Sequence, residues 1–342
     1  MKKILLLSLI FSFSFSEICD LNNDNTINIV DIVIMVNSIL NDGEEFCDLN
    51  GDGLLNIVDI VQLVNLVLYG MNIEFVQIPS GNYRHPGSGE TYSIDYDFKI
   101  SKYEITNQKY LKYLNSAIED DEIWIGDCID NIGTTCVNGN FHNDDGNIEK
   151  SYFILGNVYS HMLFEYNFGI INFVDSEFQI ENIVYLDHPV VNVSWYGANH
   201  FADYYGFRLP KFEEWIKAGR DNTNSNWPWG GGEDMHLKIN VLNSQYNTPT
   251  DFSYIWPDGT TPVGFYKELN SMIDNSSPFG VYDIIGNASE WLLDGPSFND
   301  ELRISAGGGW DWEKFNSRLK WHKKYSLGEP HWSTGIRVIQ EN

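Results

Sequence analysis

The sequence predicts a loop-rich α+β domain placed behind a small all-α module made of a duplicated loop and helix. Three observations carry this. Residues 19–40 and 47–68 repeat with a period of 28, each copy running from an Asp/Asn-rich loop into an apolar, helix-like stretch. From Phe75 onward, short alternating segments and two amphipathic helices are separated by long Gly- and Asp-rich stretches. Aromatic residues make up 15% of the 342 residues, which favours packed loops over a plain helical bundle. The length allows about two domains at ~150 residues each. An apolar share of 43% argues against wholesale disorder.

Acids outnumber bases 48 to 21, for a net charge of −27. That field repels polyanions and no basic stripe is present, so nucleic-acid binding is excluded as the default function. Acidity on this scale fits an exported protein, a calcium binder, or both. The N-terminus predicts export. Lys2 and Lys3 precede the apolar run Ile4–Phe15, which closes on Ser14-Phe15-Ser16, so residues 1–16 read as a secretory signal peptide. The run is too short to span a bilayer, and no later one reaches the ~20 apolar residues of a membrane helix. Glu17, close before Cys19, disfavours a lipid anchor there. Export permits disulfides. Four cysteines allow three pairings; repeat equivalence favours Cys19 with Cys47, and short spacing favours Cys128 with Cys136.

In the first copy, oxygen side chains fall at loop positions 1, 3, 5, 9 and 12: Asp20, Asn22, Asp24, Asn28 and Asp31. The second copy repeats them as Asp48, Asn50, Asp52, Asn56 and Asp59. Position 7 supplies a backbone carbonyl, from Thr26 and Leu54. This spacing wraps the chain around a hard cation, and calcium is the expected ligand. Gly53 or Asn25 at position 6 permits the sharp turn.

The duplicated loop and helix over 19–70 resembles the type I dockerin module. The resemblance implies that calcium folds the module, residues 17–70, and that one face docks onto a cohesin. The residues before the last ligand depart from the usual polar recognition positions: they are Ile29-Val30 and Ile57-Val58. The linker Gly70-Met71-Asn72 is short. Two partners therefore stand open, a cohesin-like protein or intramolecular docking, with the Ile-Val faces expected to pack inside the protein.

Residues 71–342 form the large domain. Phe75–Tyr83 reads as a strand ended by a Pro/Gly turn, and Phe98–Ser101 alternates into a helix over 107–116 capped by Thr106 or Asn107. Residues 119–187 read as irregular acidic turns with brief strands at 170–174 and 183–185. Ala198, Phe201, Ala202 and Tyr205 mark one helix, and a second runs through Phe212-Glu-Glu-Trp215 to Arg220. Then come Asn226-Trp-Pro-Trp-Gly-Gly-Gly232, Thr261-Pro-Val-Gly264, Phe279-Gly-Val-Tyr-Asp-Ile-Ile-Gly-Asn-Ala-Ser-Glu-Trp291, Ile304-Ser-Ala-Gly-Gly-Gly-Trp310 and Gly335-Ile-Arg-Val338.

In this order, with His188-Pro-Val-Val-Asn-Val-Ser-Trp195 and Phe207-Arg-Leu-Pro ahead of them, the segments resemble the formylglycine-generating-enzyme, or sulfatase-modifying-factor, family. The resemblance implies its C-type-lectin-like fold and structural calcium. One calcium would be held by the side chains of Asp283 and Glu290 and the carbonyls of Gly286 and Ala288. A second would involve Asn243 and Ser244, with Asp251 or Asp258. Oxidase members of the family hold Cu(I) on two cysteines. Here Trp312 and Ser317 occupy those places, and an indole and a hydroxyl do not suit that soft ion. Arg208, Trp215, Arg220 and Arg337 read as framework residues, and His188 as structural. No catalytic residue is assigned. The expected function is a secreted, calcium-binding scaffold or polysaccharide-assembly component, with a glycan or protein ligand; the alternative is a formylglycine-generating oxidoreductase or another enzyme of that family.

Overall fold

A computed structural model describes residues 19, 21–22, 29–41, 47, 55–69, 71–129, 131–143, 146–155, 158–161, 164–167, 170–180, 185–220, 225–230, 239, 259–266, 274–295, 301–313 and 316–341. The chain divides into two units, Met1–Glu74 and Phe75–Asn342.

In the first unit, α1 (Ile29–Leu40) and α2 (Ile57–Tyr69) carry the repeat. Equivalent positions of the two copies build its core: Cys19 with Cys47 and Met35 with Leu63, flanked by Ile32 and Ile60. Cys19 and Cys47 form a disulfide, which ties the start of one copy to the start of the other. A module this small has little apolar surface to bury, so the cross-link carries a large share of its stability.

The second unit opens with β1 (Phe75–Ile78), β2 (Gly81–Arg84), β3 (Thr91–Ile94) and β4 (Phe98–Ser101). Helix α3 (Asn107–Glu119) follows; Thr106 is its cap, accepting from the Lys109 N–H. The segment expected to be irregular instead holds β5 (Ile123–Cys128), β6 (Asn131–Asn143) and β7 (Gly146–Ile154), a three-stranded antiparallel sheet. The Cys128–Cys136 disulfide staples its first two strands. Two hairpins follow, β8 (Val158–His161) with β9 (Phe164–Asn167), and β10 (Ile171–Val174) with β11 (Glu177–Ile180). The polar run Thr134-Thr-Cys-Val-Asn-Gly-Asn140 shows little apolar alternation. Its strand character comes from pairing on both edges and from Val137, Tyr152 and Phe153 buried beneath.

Ser194 caps α4 (Trp195–Tyr204), accepting from the Gly197 N–H. Then come β12 (Phe207–Arg208) and α5 (Phe212–Gly219). The chain ends through β13 (Ser289–Trp291), β14 (Leu302–Ala306), β15 (His322–Ser326), β16 (Thr334–Gly335) and β17 (Ile339–Gln340). Two four-stranded sheets organise the unit. One has the order β1-β4-β17-β12, joining its first strands to its last; the other is β15-β14-β13-β16. Both sheets contribute to one core, with Ile78, Phe98, Ile100 and Ile339 from the first, Ile304 and Ala306 of β14 from the second, and Trp215 and Ile216 of α5. The result is a loop-rich α+β fold whose ends meet in one sheet.

Candidate functional site

The position-12 aspartate reaches back to the start of the loop in the first repeat, and to the residue before the helix in the second. Asp31 Oδ1 accepts from the backbone N–H of Leu21 at 2.8 Å and of Asn22 at 3.3 Å. Asp59 Oδ2 accepts from the Asn56 N–H at 2.9 Å, and Asn56 Oδ1 from the Val58 N–H at 2.8 Å. Asp31 and Asp59 are fully buried. A buried carboxylate folded back over an acidic loop fits a loop that wraps a cation, because an uncompensated charge there is costly. Asp20, Asp24, Thr26, Asn28, Asp48, Asn50, Asp52 and Leu54 lie outside the described residues.

The Ile-Val pairs do not pack within the module, which corrects the expectation of a buried face. Ile29 and Ile57 are 67% and 66% exposed, Val30 and Val58 46% and 47%, Val33 and Val61 52% and 53%. The physical reason is helical phase: the core stripe of α1 runs through Asp31, Met35 and Ser38, leaving Val33 and Leu40 on the outer side. The module thus presents two equivalent apolar patches, one per copy.

In the large domain, Asp283 and Glu290 enter one buried cluster with Glu104 and Arg337. Arg337 donates from Nε to Glu290 Oε1 at 2.8 Å and to the carbonyls of Ser101 and Tyr282. Trp215 donates its indole N–H to Glu290 Oε2 at 2.6 Å. Asp283 accepts from the Asn275 side-chain amide at 3.0 Å and from the Gly264 N–H. Glu104 takes the Ala288 N–H at 2.8 Å and the Asn287 amide at 2.7 Å. The turn between them needs left-handed backbone at Asp283, Gly286 and Asn287, with φ of 52°, 84° and 61°. Burial, then the charges of Asp283 and Glu290, push the Glu104 carboxyl well above the usual carboxylate range. Burial also raises Glu290, against the opposing pull of Arg337.

Asp283 and Glu290 therefore face one guanidinium, with Glu104 pushed towards its neutral form beside them, a charge balance that favours a cation. The geometry is less open: Glu290 has each oxygen engaged, by Arg337 and by Trp215. Among the described residues no three His, Cys, Asp or Glu side chains converge on one metal position. Asn243, Ser244, Asp251 and Asp258 lie outside the described residues. Glu104 and Asn287 were missed in the sequence. Glu104, a lone acid between Tyr103 and Ile105 at the end of an alternating strand, was the available signal.

The framework assignments have clear partners. Arg208 grips Glu214 with two 2.7 Å bonds, Arg220 donates to the Ser225 carbonyl at 2.6 Å, and His188 Nδ1 meets the Thr260 hydroxyl at 2.8 Å. Trp227 and Trp229 stack on each other with ring centres 5.6 Å apart and pack on the core.

At the loop after β14, Trp312 is 2% exposed and Ser317 is fully buried. Gly308 has φ of 78°, and a Cβ there would lie 2.4 Å from Ser317 Oγ, so this close approach requires glycine. All four cysteines are in the two disulfides, which leaves no free thiol in the chain. The model of the sulfatase-modifying factor enzyme 1-like domain matches residues 70–342. The chain belongs to that family. The dockerin type I domain matches residues 18–68.

This sulfatase-modifying-factor-like chain is 34% identical over 106 residues to the formylglycine-generating enzyme of Mycobacterium tuberculosis, covering 30% of this chain and 32% of that protein. It is 29% identical over 127 residues to the inactive Cα-formylglycine-generating enzyme 2 of Bos taurus, covering 36% and 39%. The chain thus spans well under half the length of the curated relatives it matches. Among solved structures, that of PvdO from Pseudomonas aeruginosa superposes with a TM-score of 0.51 at 18% identity, over 80% of this chain and 95% of that one. The shared fold is the C-type-lectin-like one of the family.

Proposed function

We propose that this chain is an exported, calcium-binding and non-catalytic member of the family. Its dockerin module would attach it to a cohesin, and its large domain would serve as a binding or scaffold unit in a polysaccharide-degrading assembly. The observation that carries the reading is that every cysteine is oxidised, while Trp312 and Ser317, at the places the family resemblance gives to the paired thiols, are buried. A two-coordinate Cu(I) centre needs two converging thiolates, and neither an indole nor a hydroxyl supplies one. The likeness to an inactive relative supports the same reading.

Calcium is proposed at both repeat loops, on Asp20, Asn22, Asp24, Thr26, Asn28 and Asp31, and on Asp48, Asn50, Asp52, Leu54, Asn56 and Asp59. The loop closure at Asp31 and the burial of Asp59 at the equivalent position support this. A further ion at Asp283, Gly286, Ala288 and Glu290 is supported by the surplus of buried negative charge, and it would compete with Arg337 for Glu290. The two exposed patches around Ile29-Val30 and Ile57-Val58 suit an apolar partner surface, which favours a cohesin over intramolecular burial. Disulfides and the apolar N-terminal run support export.

The deciding experiment incubates calcium-loaded protein with copper and a peptide carrying the Cys-x-Pro-x-Arg sulfatase motif. Mass spectrometry is expected to show the peptide thiol intact. Conversion to the aldehyde, lost in Cys128→Ser, would move an active site into the β5–β7 segment and overturn the reading.

A further inference from the structure

Beside the position of the lost thiol, three polar atoms are shut off from solvent and meet no hydrogen-bond partner: Asp311 Oδ1, the Trp312 indole N–H and the Tyr325 hydroxyl. They belong to one cluster. Asp311 and Trp312 are consecutive on the loop after the triple glycine. Lys323 holds its ammonium 4.0 Å from the centre of the Trp312 ring. Lys323 and Tyr325 stand two residues apart on β15, and so on the same face of that strand. The Tyr325 ring lies 4.3 Å from His331, which stacks at 4.3 Å on Trp332. Trp332 closes the circuit by donating its indole N–H to Asp311 Oδ2 at 2.9 Å. The charge of Asp311 acts on Lys323, Tyr325 and His331 alike.

A buried polar group without a partner costs about 1–3 kcal/mol. Three in one place mark a position where a polar molecule belongs. The cluster offers one acceptor, Asp311 Oδ1, and donors on Trp312, Tyr325 and Lys323. Hydroxyl groups both donate and accept, so neighbouring hydroxyls on one ring can satisfy all of them. With Lys323 off its ring, the Trp312 indole would offer a flat apolar face to such a ring. An anion is opposed by the net charge of −27, and a cation by Lys323.

We propose that Asp311, Trp312, Lys323 and Tyr325 form a binding subsite for a neutral sugar, reading adjacent ring hydroxyls. Lys323 is the movable cover. Its side chain is exposed, makes no ion pair among the described residues, and can swing off the Trp312 ring to admit the ligand. The proposal names the ligand of the non-catalytic binding domain inferred above and rests on that reading.

The test titrates calcium-loaded full-length protein with glucose, galactose, mannose and xylose and with their β-linked oligomers, by calorimetry and tryptophan fluorescence. Saturable binding of one of them is expected, with Kd on the order of 1 mM or tighter. Asp311→Asn and Tyr325→Phe should each weaken it about tenfold without lowering the melting temperature. Asn keeps an acceptor for Trp332, and Phe keeps the ring on His331, so both variants should fold. A silent titration across the panel overturns the proposal. Binding that is equal in both variants places the sugar elsewhere and also overturns it, as does tighter binding of glucuronate or of a free amino acid. Aldehyde formation on the sulfatase-motif peptide is a separate readout, and its appearance would sink the non-catalytic reading instead.

Discussion

Arg337 joins three parts of the large domain through one fully buried guanidinium: Ser101 at the end of β4, Tyr282 before the tight turn, and Glu290 on β13. Such a pair adds little net stability over an apolar replacement, yet breaking one half is severe because the other charge stays buried. Arg337→Met should therefore destabilise the domain by about 3–5 kcal/mol in chemical denaturation. The double variant Arg337→Met, Glu290→Gln should recover part of that loss. If it is no more stable than the single variant, the pair is not what holds these loops. The calcium proposal at Asp283 adds a second readout at this scale: Asp283→Asn should lower the number of bound calcium ions by one in equilibrium dialysis.

At the scale of elements, the calcium proposal makes the two loop–helix repeats dependent on their ion. Each loop gathers several carboxylates whose repulsion opposes closure, and a module of ~50 residues has little core to compensate. Circular dichroism of residues 17–70 should gain helix with calcium and lose it with chelator; equal helicity in both conditions would refute the role of the ion. Asp48→Ala with Asp59→Ala should remove the second site alone. The outer faces of α1 and α2 lead to a different expectation. Because Ile29, Val30, Ile57 and Val58 are exposed, changing all four to Ser should shift stability by no more than about 0.5 kcal/mol per residue. The same change should abolish pull-down of the protein by an immobilised cohesin. A large drop in melting temperature with partner binding intact would mean that the faces are covered within the chain.

For the molecule as a whole, proton linkage sets an acid limit. Burial pulls His188 down to about 3 and His331 down to about 4. In the unfolded chain both titrate near ~6.5. Below that value the unfolded state takes up protons that the folded state refuses, so this stability is full above ~6.5 and is lost as pH falls towards 4 and then 3. His188→Asn should flatten the dependence of unfolding free energy on pH by up to about 1.4 kcal/mol per unit across that window. An unchanged slope would show that His188 does not carry this linkage.

How much of this was legible before folding depends on the range of the interaction concerned. The repeat, its cysteine pairing and the cap at Thr106 follow from residue type and local spacing, because caps and ligand loops are built within about a dozen residues. The same holds for helices α3 and α4, whose periodic apolar faces announce them. The β5–β7 sheet was not legible, since Asn131–Asn143 has no alternating pattern and becomes a strand only when β5 and β7 flank it. Glu104 meets Asn287 across 183 residues, and Arg337 meets Ser101 across 236. The circuit of Asp311, Trp312, Lys323, Tyr325, His331 and Trp332 likewise exists only once the loop after β14, the strand β15 and the approach to β16 are brought together. Local chemistry wrote the modules. Which buried charges share one cluster, and which buried polar atoms meet no partner, was decided by chain crossings that no local pattern encodes.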